Sequence, residues 1–129
     1  MSHQVIFEHR RLEDLFEALE RAFGGDSAAN GPWSAFEQLS EELQAHFEQE
    51  DQLYFPAIWA LRPDLKGSLE EASRRHGWFR DQLRRIGDHL SHDDEQGAAG
   101  VFRRLDESFR VHEQFEEQIL ERLDADLED

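Results

Sequence analysis

Four stretches of this chain space their apolar residues at steps of three and four, and each of those stripes carries one histidine. The first stripe is Val5, His9, Leu12, Phe16, Leu19 and Phe23. The second is Phe36, Leu39, Leu43, His46, Glu50, Leu53, Ala57 and Ala60. The third is Leu69, Ala72, His76, Phe79, Leu83, Ile86 and Leu90, and the fourth is Phe102, Leu105, Phe109, His112, Glu116, Ile119 and Leu123. Such steps put a stripe on one helical face, the face that packs inward. Nothing alternates with period two, so strands are not expected. The stretches are dense in Glu, Leu, Arg, Gln and Ala, which favour helix.

Breakers separate them: Gly24, Gly25, Asp26, Asn30, Gly31 and Pro32; then Arg62, Pro63, Asp64 and Gly67; then Ser91 to Gly97. Helices are predicted over roughly 3–23, 32–61, 68–91 and 97–124. Short loops between four amphipathic helices predict an all-α, antiparallel up-down-up-down four-helix bundle, with residues 1–129 as a single domain. Pro32 suits a first helical turn and Ser68 is placed to cap the third helix. Pro56 is expected to kink or end the second helix nearby. The acidic tail LDADLED is expected to fray.

Acidic residues number 30 against 14 basic ones, for a formal charge of −16. That balance repels phosphate backbones and anionic lipid, so neither nucleic acid nor a membrane surface is an expected partner. An apolar share of 38%, with ten Phe, is too high for a disordered acidic chain. Cysteine is absent, which excludes disulfides, thiol catalysis and cysteine-ligated metals and favours a cytoplasmic setting. The N-terminus lacks an apolar core of signal-peptide length, and the longest apolar run, LYFPAIWAL, is too short to span a membrane.

The polar residues on the inner stripes point to chemistry. Glu50 follows His46, and Glu116 follows His112, by four residues, so each pair shares a helical face. Imidazole nitrogen with carboxylate oxygen suits iron, manganese or zinc alike. Two glutamates among Phe and Leu without a cation would cost on the order of several kcal/mol each unless protonated. Depth along the bundle brings the set together. His9 and His46 each lie about 14 residues from the first turn, or roughly 21 Å at 1.5 Å per residue. His76 and His112 are likewise equidistant from the third turn, so His9, His46, Glu50, His76, His112 and Glu116 are expected in one layer and as metal ligands.

The arrangement His9, His46-x-x-x-Glu50, His76, His112-x-x-x-Glu116 resembles the hemerythrin-like, HHE cation-binding family. HFEQEDQLYFPAI and HEQFEEQIL are similar to that family's two HxxxE segments, and EHRRLEDLFEAL to its first helix. The resemblance implies a non-haem di-iron centre, two iron ions joined by an oxo or hydroxo bridge, with Glu50 and Glu116 bridging and the histidines completing each coordination sphere. It implies binding or reduction of a small oxidant: dioxygen, peroxide or nitric oxide. Hemerythrins proper carry a further histidine on the third helix. Ala72 and Arg80 occupy the positions flanking His76, so the fifth histidine is missing, which weakens the case for reversible oxygen carriage. The alternatives are an iron- or oxygen-sensing or iron-buffering module working through a protein partner, and a metal-free helical interaction module with a degenerate site; on any of these readings the protein is expected as a monomer or homodimer.

Several neighbours carry secondary expectations. Glu13 is a reserve ligand one turn after His9, and Glu117 is the reserve for Glu116. Tyr54 either approaches the metals or packs near the bundle end. His3, His89 and His92 are expected to be solvated, and Trp59 and Trp78 fall off the inner seam.

Overall fold

The computed structural model describes the backbone of residues 2–25 and 31–128 and the side chains of residues 7–25 and 31–123. Among the described residues the regular structure is entirely helical. Helix α1 (Ser2–Phe23) stops where Gly25 takes φ 87°, and the Gly24 and Gly25 N–H groups bond back to the carbonyls of Glu20 and Ala22. Helix α2 (Pro32–Gln49) opens with Pro32, as expected. It runs without a break into a π-helical turn, Glu50–Tyr54, and then into α3 (Phe55–Leu61). A 3₁₀ turn (Pro63–Leu65) leads to α4 (Lys66–Ser91), and α5 (Glu95–Glu128) completes the chain. No described helix is long and apolar enough to cross a membrane.

Two boundaries differ from the sequence reading. The third rod starts at Lys66 without a side-chain cap, so Ser68 lies inside the helix; the preceding 3₁₀ turn supplies the first hydrogen bonds, with Lys66 N–H reaching the Pro63 carbonyl. The backbone of the acidic tail, expected to fray, continues as helix to Glu128. Of its side chains Leu123 is buried, while those of residues 124–129, like those of Val5 and His3, lie outside the described residues.

The π turn corrects the second stripe. Leu53 is 60% exposed and Ala60 is exposed, whereas Phe55 and Ile58 are buried. In the π turn the Phe55 N–H bonds to the Glu50 carbonyl, five residues back. One wider turn rotates everything after Glu50 relative to an α-helical register, so the buried step from Glu50 is to Phe55. Pro56, which has no N–H to donate, sits immediately after this adjustment. Ile58→Ala is therefore expected to cost about 2–4 kcal/mol of stability in urea denaturation, and Leu53→Ala less than about 0.5 kcal/mol. Equal costs would mean that the register is α-helical throughout.

The remaining stripes pack as the periodicity predicts. Leu12, Phe16, Leu19, Leu39, Leu43, Phe47, Phe79, Leu83, Ile86, Phe102, Leu105 and Phe109 form one apolar cluster across α1, α2, α4 and α5. Phe16 stacks on Phe109 with ring centroids 5.0 Å apart. Each large side chain buried this way contributes about 1.5–3 kcal/mol. Contacts run in opposite senses along neighbouring helices. Glu8 meets His46 while Arg11 meets Glu42, and Phe16 meets Phe109 while Phe23 meets Phe102. A second apolar cluster, with Phe55, Ile58, Leu65, Leu69, Ala72, Ile119, Leu120 and Leu123, sits further along the same rods. On α4 and α5 the polar inner residues fall in sequence between the two clusters, and on α2 Glu50 does so.

Candidate metal centre

His9, His46, Glu50, His76, His112 and Glu116 are all at most 4% exposed. They come from α1, from α2 and its π turn, from α4 and from α5, so no two neighbouring rods alone could assemble them. Their donor atoms fall into two groups. One nitrogen or oxygen from each of His9, His46, Glu50 and Glu116 lies within 4.8 Å of the others, and the same holds for Glu50, His76, His112 and Glu116. Glu50 and Glu116 belong to both groups. Glu50 Oε1 is 3.4 Å from His46 Nε2 and 3.2 Å from His76 Nε2, and Glu116 Oε1 is 2.7 Å from His112 Nε2.

Aromatic packing and outer carboxylates orient the rings. His76 lies between Phe47 and Phe55, near-parallel to both, with centroids 4.2 and 5.8 Å away. Its Nδ1 is 3.0 Å from Asp51 Oδ1, which also accepts a hydrogen bond from Ser73 Oγ at 2.6 Å. His46 Nδ1 is 2.9 Å from Glu8 Oε2, and Tyr54 donates to the other oxygen of Glu8 at 3.4 Å. His9 Nδ1 faces Glu117 Oε1 at 3.4 Å. A carboxylate on Nδ1 leaves Nε2 as the inward-facing donor, the arrangement that fixes the tautomer of metal-binding histidines. Glu8 and Asp51 were not singled out in the sequence. Each flanks a stripe residue, His9 or Glu50, but serves a histidine on a different helix.

The inner atoms have nothing else to do. His9 Nε2, His46 Nε2, His76 Nε2 and His112 Nδ1 are buried without a hydrogen-bond partner, while His112 Nε2, Glu116 and Glu50 hydrogen-bond only with one another. Buried polar atoms are ordinarily paired, and leaving one bare costs about 1–3 kcal/mol. A set of donor nitrogens and oxygens converging from four rods fits a cation. Electrostatics agree. Burial, then the Glu116 charge, pushes the Glu50 carboxyl well above its ordinary value. Burial also acts to raise Glu116, but hydrogen bonding with Glu50 and the neighbouring His112 carries it down to about 2. Burial and the mutual repulsion of the two carboxylates thus oppose ionising both together without a cation. Burial lowers His9 and His76 as well, which favours the neutral imidazole a metal needs.

Glu117, the reserve ligand, has a side chain 41% exposed and reaches only the outer nitrogen of His9, whereas Glu116 sits in both groups. Glu13 is exposed and joins neither inner group. Tyr54 is half-buried and packs against the second apolar cluster. His89 Nδ1 lies 2.9 Å from Asp94 Oδ2, while Asp94 Oδ1 accepts the Gly97 N–H and caps α5; His92 donates to the Asp88 carbonyl. Those residues close a turn. Trp59 and Trp78 are 49% and 44% exposed.

Burial, then the charge of Glu13, raises the Glu113 carboxyl to about 9 from 4.5. A carboxyl raised in the folded state stabilises the fold below its unfolded value and loses that contribution as pH climbs towards its folded value. Glu113→Gln, neutral at every pH, is therefore expected to raise the thermal midpoint of the metal-free protein at pH 8 and to leave it nearly unchanged at pH 4. An effect of the same size at both pH values would remove ionisation as the cause.

Comparison with known families agrees with this geometry. The family described as Hemerythrin, HHE cation binding domain, matches residues 1–123. No curated protein and no solved structure matches the chain. The chain belongs to the hemerythrin HHE cation-binding family.

Proposed function

We propose that this member of the hemerythrin family is a non-haem di-iron protein that binds or reduces a small oxidant: dioxygen, peroxide or nitric oxide. The observation that carries the reading is the pair of ligand groups sharing Glu50 and Glu116. In this reading His9 and His46 hold one iron, His76 and His112 hold the other, and the two glutamates bridge. The domain spans residues 1–129 as an antiparallel up-down-up-down bundle, a topology supported by the opposed order of contacts between neighbouring rods.

Two ferrous ions held together supply two electrons and open coordination positions for a small ligand. The protein's own part is to hold, shield and select. Asp51, Glu8 and Glu117 keep three imidazoles turned inward. Phe47 and Phe55 keep the His76 ring from turning. A cavity of about 10 Å³ touches Glu50 and Glu116 and is walled by Phe55, Ile58, Ile119 and Leu120. That is room for about one water-sized molecule, which favours a diatomic or peroxide over any larger substrate. With the fifth histidine absent, Ala72 fills its position as a buried core residue, and the protein donates two histidines to each side. That symmetry favours oxidant chemistry over reversible carriage.

The test is anaerobic addition of ferrous iron to the metal-free chain, a count of iron per chain, and the optical spectrum on admitting air. About two irons per chain with oxo-bridge bands support the reading. One iron or none overturns it, and bands that reverse on removing oxygen favour carriage over reduction.

A further inference from the structure

The π turn and α3 carry Asp51, Phe55 and Trp59 along one side, and α4 carries Ser73, Leu69 and Lys66 opposite them in reverse order. These residues line a groove of about 500 Å³ between the two rods. Eight residues of helix make it roughly 12 Å long. Phe55 and Leu69 are buried at its floor, and Trp59, 49% exposed, stands at the outer end with Lys66 Nζ 5.4 Å from its ring centroid. Polar capacity collects at the inner end, where Ser73 Oγ donates to Asp51 Oδ1 at 2.6 Å. Charge along the groove balances, Lys66 and Arg74 against Asp51 and Glu70, in a chain whose formal charge is −16. Clefts of this size, mainly apolar and aromatic with a few fixed polar groups, are where small organic ligands bind.

The inner end of the groove abuts the metal layer. Asp51 Oδ1 also takes His76 Nδ1 at 3.0 Å, and Phe55 lies near-parallel to the His76 ring with centroids 5.8 Å apart. A ring laid against Phe55 is therefore one side chain away from a ligand of the layer. Chemical need points to the same place. A site that reduces an oxidant with two ferrous ions ends with two ferric ones, and a chain without cysteine has no thiol to restore them. The six inner ligands are at most 4% exposed, and the cavity beside Glu50 and Glu116 has room for about one water, so an organic reductant cannot enter the layer itself.

We propose that this groove binds a neutral, planar aromatic diol of the hydroquinone class, and that such a diol is the reductant of the metal layer; the inference rests on the two-metal reading of that layer. Its rings pack on Phe55 and Trp59, and one hydroxyl donates to Asp51. The balanced charge of the groove suits a neutral ligand. In the step, the hydroquinone gives up two electrons and two protons and becomes the quinone. The electrons turn two ferric ions ferrous, and the protons leave through the open side of the groove. The quinone has no hydroxyl left to donate to Asp51, which favours its release.

The test has two readouts, both with 2-methyl-1,4-naphthohydroquinone under argon. Equilibrium dialysis against the full metal-free chain is expected to give about one bound molecule per chain. Trp59→Ala, which removes an exposed wall, is expected to weaken binding by about tenfold, and Trp59→Phe, which keeps a ring, by less than about threefold. Trp78→Ala, which removes an exposed indole elsewhere on α4, is expected to bind as the parent does. The second readout is the rate at which the oxo-bridge bands of the ferric, iron-loaded chain decay. With the hydroquinone below saturation, that rate is expected to fall in Trp59→Ala by the same factor as binding, while reduction by dithionite proceeds at the parental rate. Absence of binding overturns the inference, as does equal weakening in Trp78→Ala. Weakened binding with an undiminished rate of reduction also overturns it, because the electrons would then enter elsewhere. A parent chain that holds fewer than two irons overturns the two-metal reading itself, a result seen in the iron count and independent of dialysis against the metal-free chain.

Discussion

Glu116→Ala is expected to leave the protein folded and unable to hold either metal. Glu116 is the one residue of α5 common to both ligand groups, so its removal takes a donor from each. The expected change is from about two metals per chain towards none, read by elemental analysis after loading and desalting. His9→Ala, by contrast, leaves Glu50, His76, His112 and Glu116 intact and is expected to retain one. The metal-free Glu116→Ala protein is expected to lose about 3–5 kcal/mol relative to the metal-free parent, because the change removes the buried partner of His112 Nε2 and of Glu50. Loss of metal in a chain that still unfolds in one cooperative urea transition separates a missing ligand from a damaged fold. Full metal content in Glu116→Ala, with loss in Glu117→Ala, would transfer the bridging role to Glu117.

Chelating the metal from the loaded protein is expected to lower its thermal midpoint by at least ~10 °C. Binding to the folded chain alone stabilises it by about 4 kcal/mol per site when free metal is a thousandfold above Kd. For a chain of this length each kcal/mol moves the midpoint by roughly 3–5 °C. The molecular origin is visible in the layer between the two apolar clusters. Without a cation the inward nitrogens of His9, His46 and His76 are desolvated and unpaired, and burial with the nearby Glu116 charge favours the protonated form of Glu50. Adding metal back should restore the midpoint and release that proton, measurable in weakly buffered solution. A midpoint indifferent to chelator and metal would favour a helical interaction module with a degenerate site.

Much of this design is legible in the chain because it depends on local geometry. A helix repeats every 3.6 residues, so His9, Phe16 and Leu19 on one stripe, or His76, Phe79 and Ile86 on another, share a face whatever they pack against. Equal distance from a turn brings residues of adjacent rods to one depth, which is why the histidines and the two HxxxE glutamates share one layer. After Glu50 the period changes. Leu53, Ala57 and Ala60 continue the α-helical period, but the chain inserts a π turn and buries Phe55 and Ile58 instead. Pro56 marked the place without revealing the form, since a missing N–H is accommodated equally well by a kink, an end or a wider turn.

The sequence by itself therefore determined the helical rods, the apolar faces and the identity of the inward histidines and glutamates, because periodicity is imposed by the covalent backbone one turn at a time. Only the tertiary structure decided which carboxylate serves which ring. Glu8 reaches His46 across 38 positions, Asp51 reaches His76 across 25, and Glu117 reaches His9 across 108. Those partners flank the stripes, where one acid among many looks like solvated surface. Their assignment depends on how far each rod is rotated about its own axis when the cores interlock, a quantity set by the packing of all the rods together and carried by no single helix.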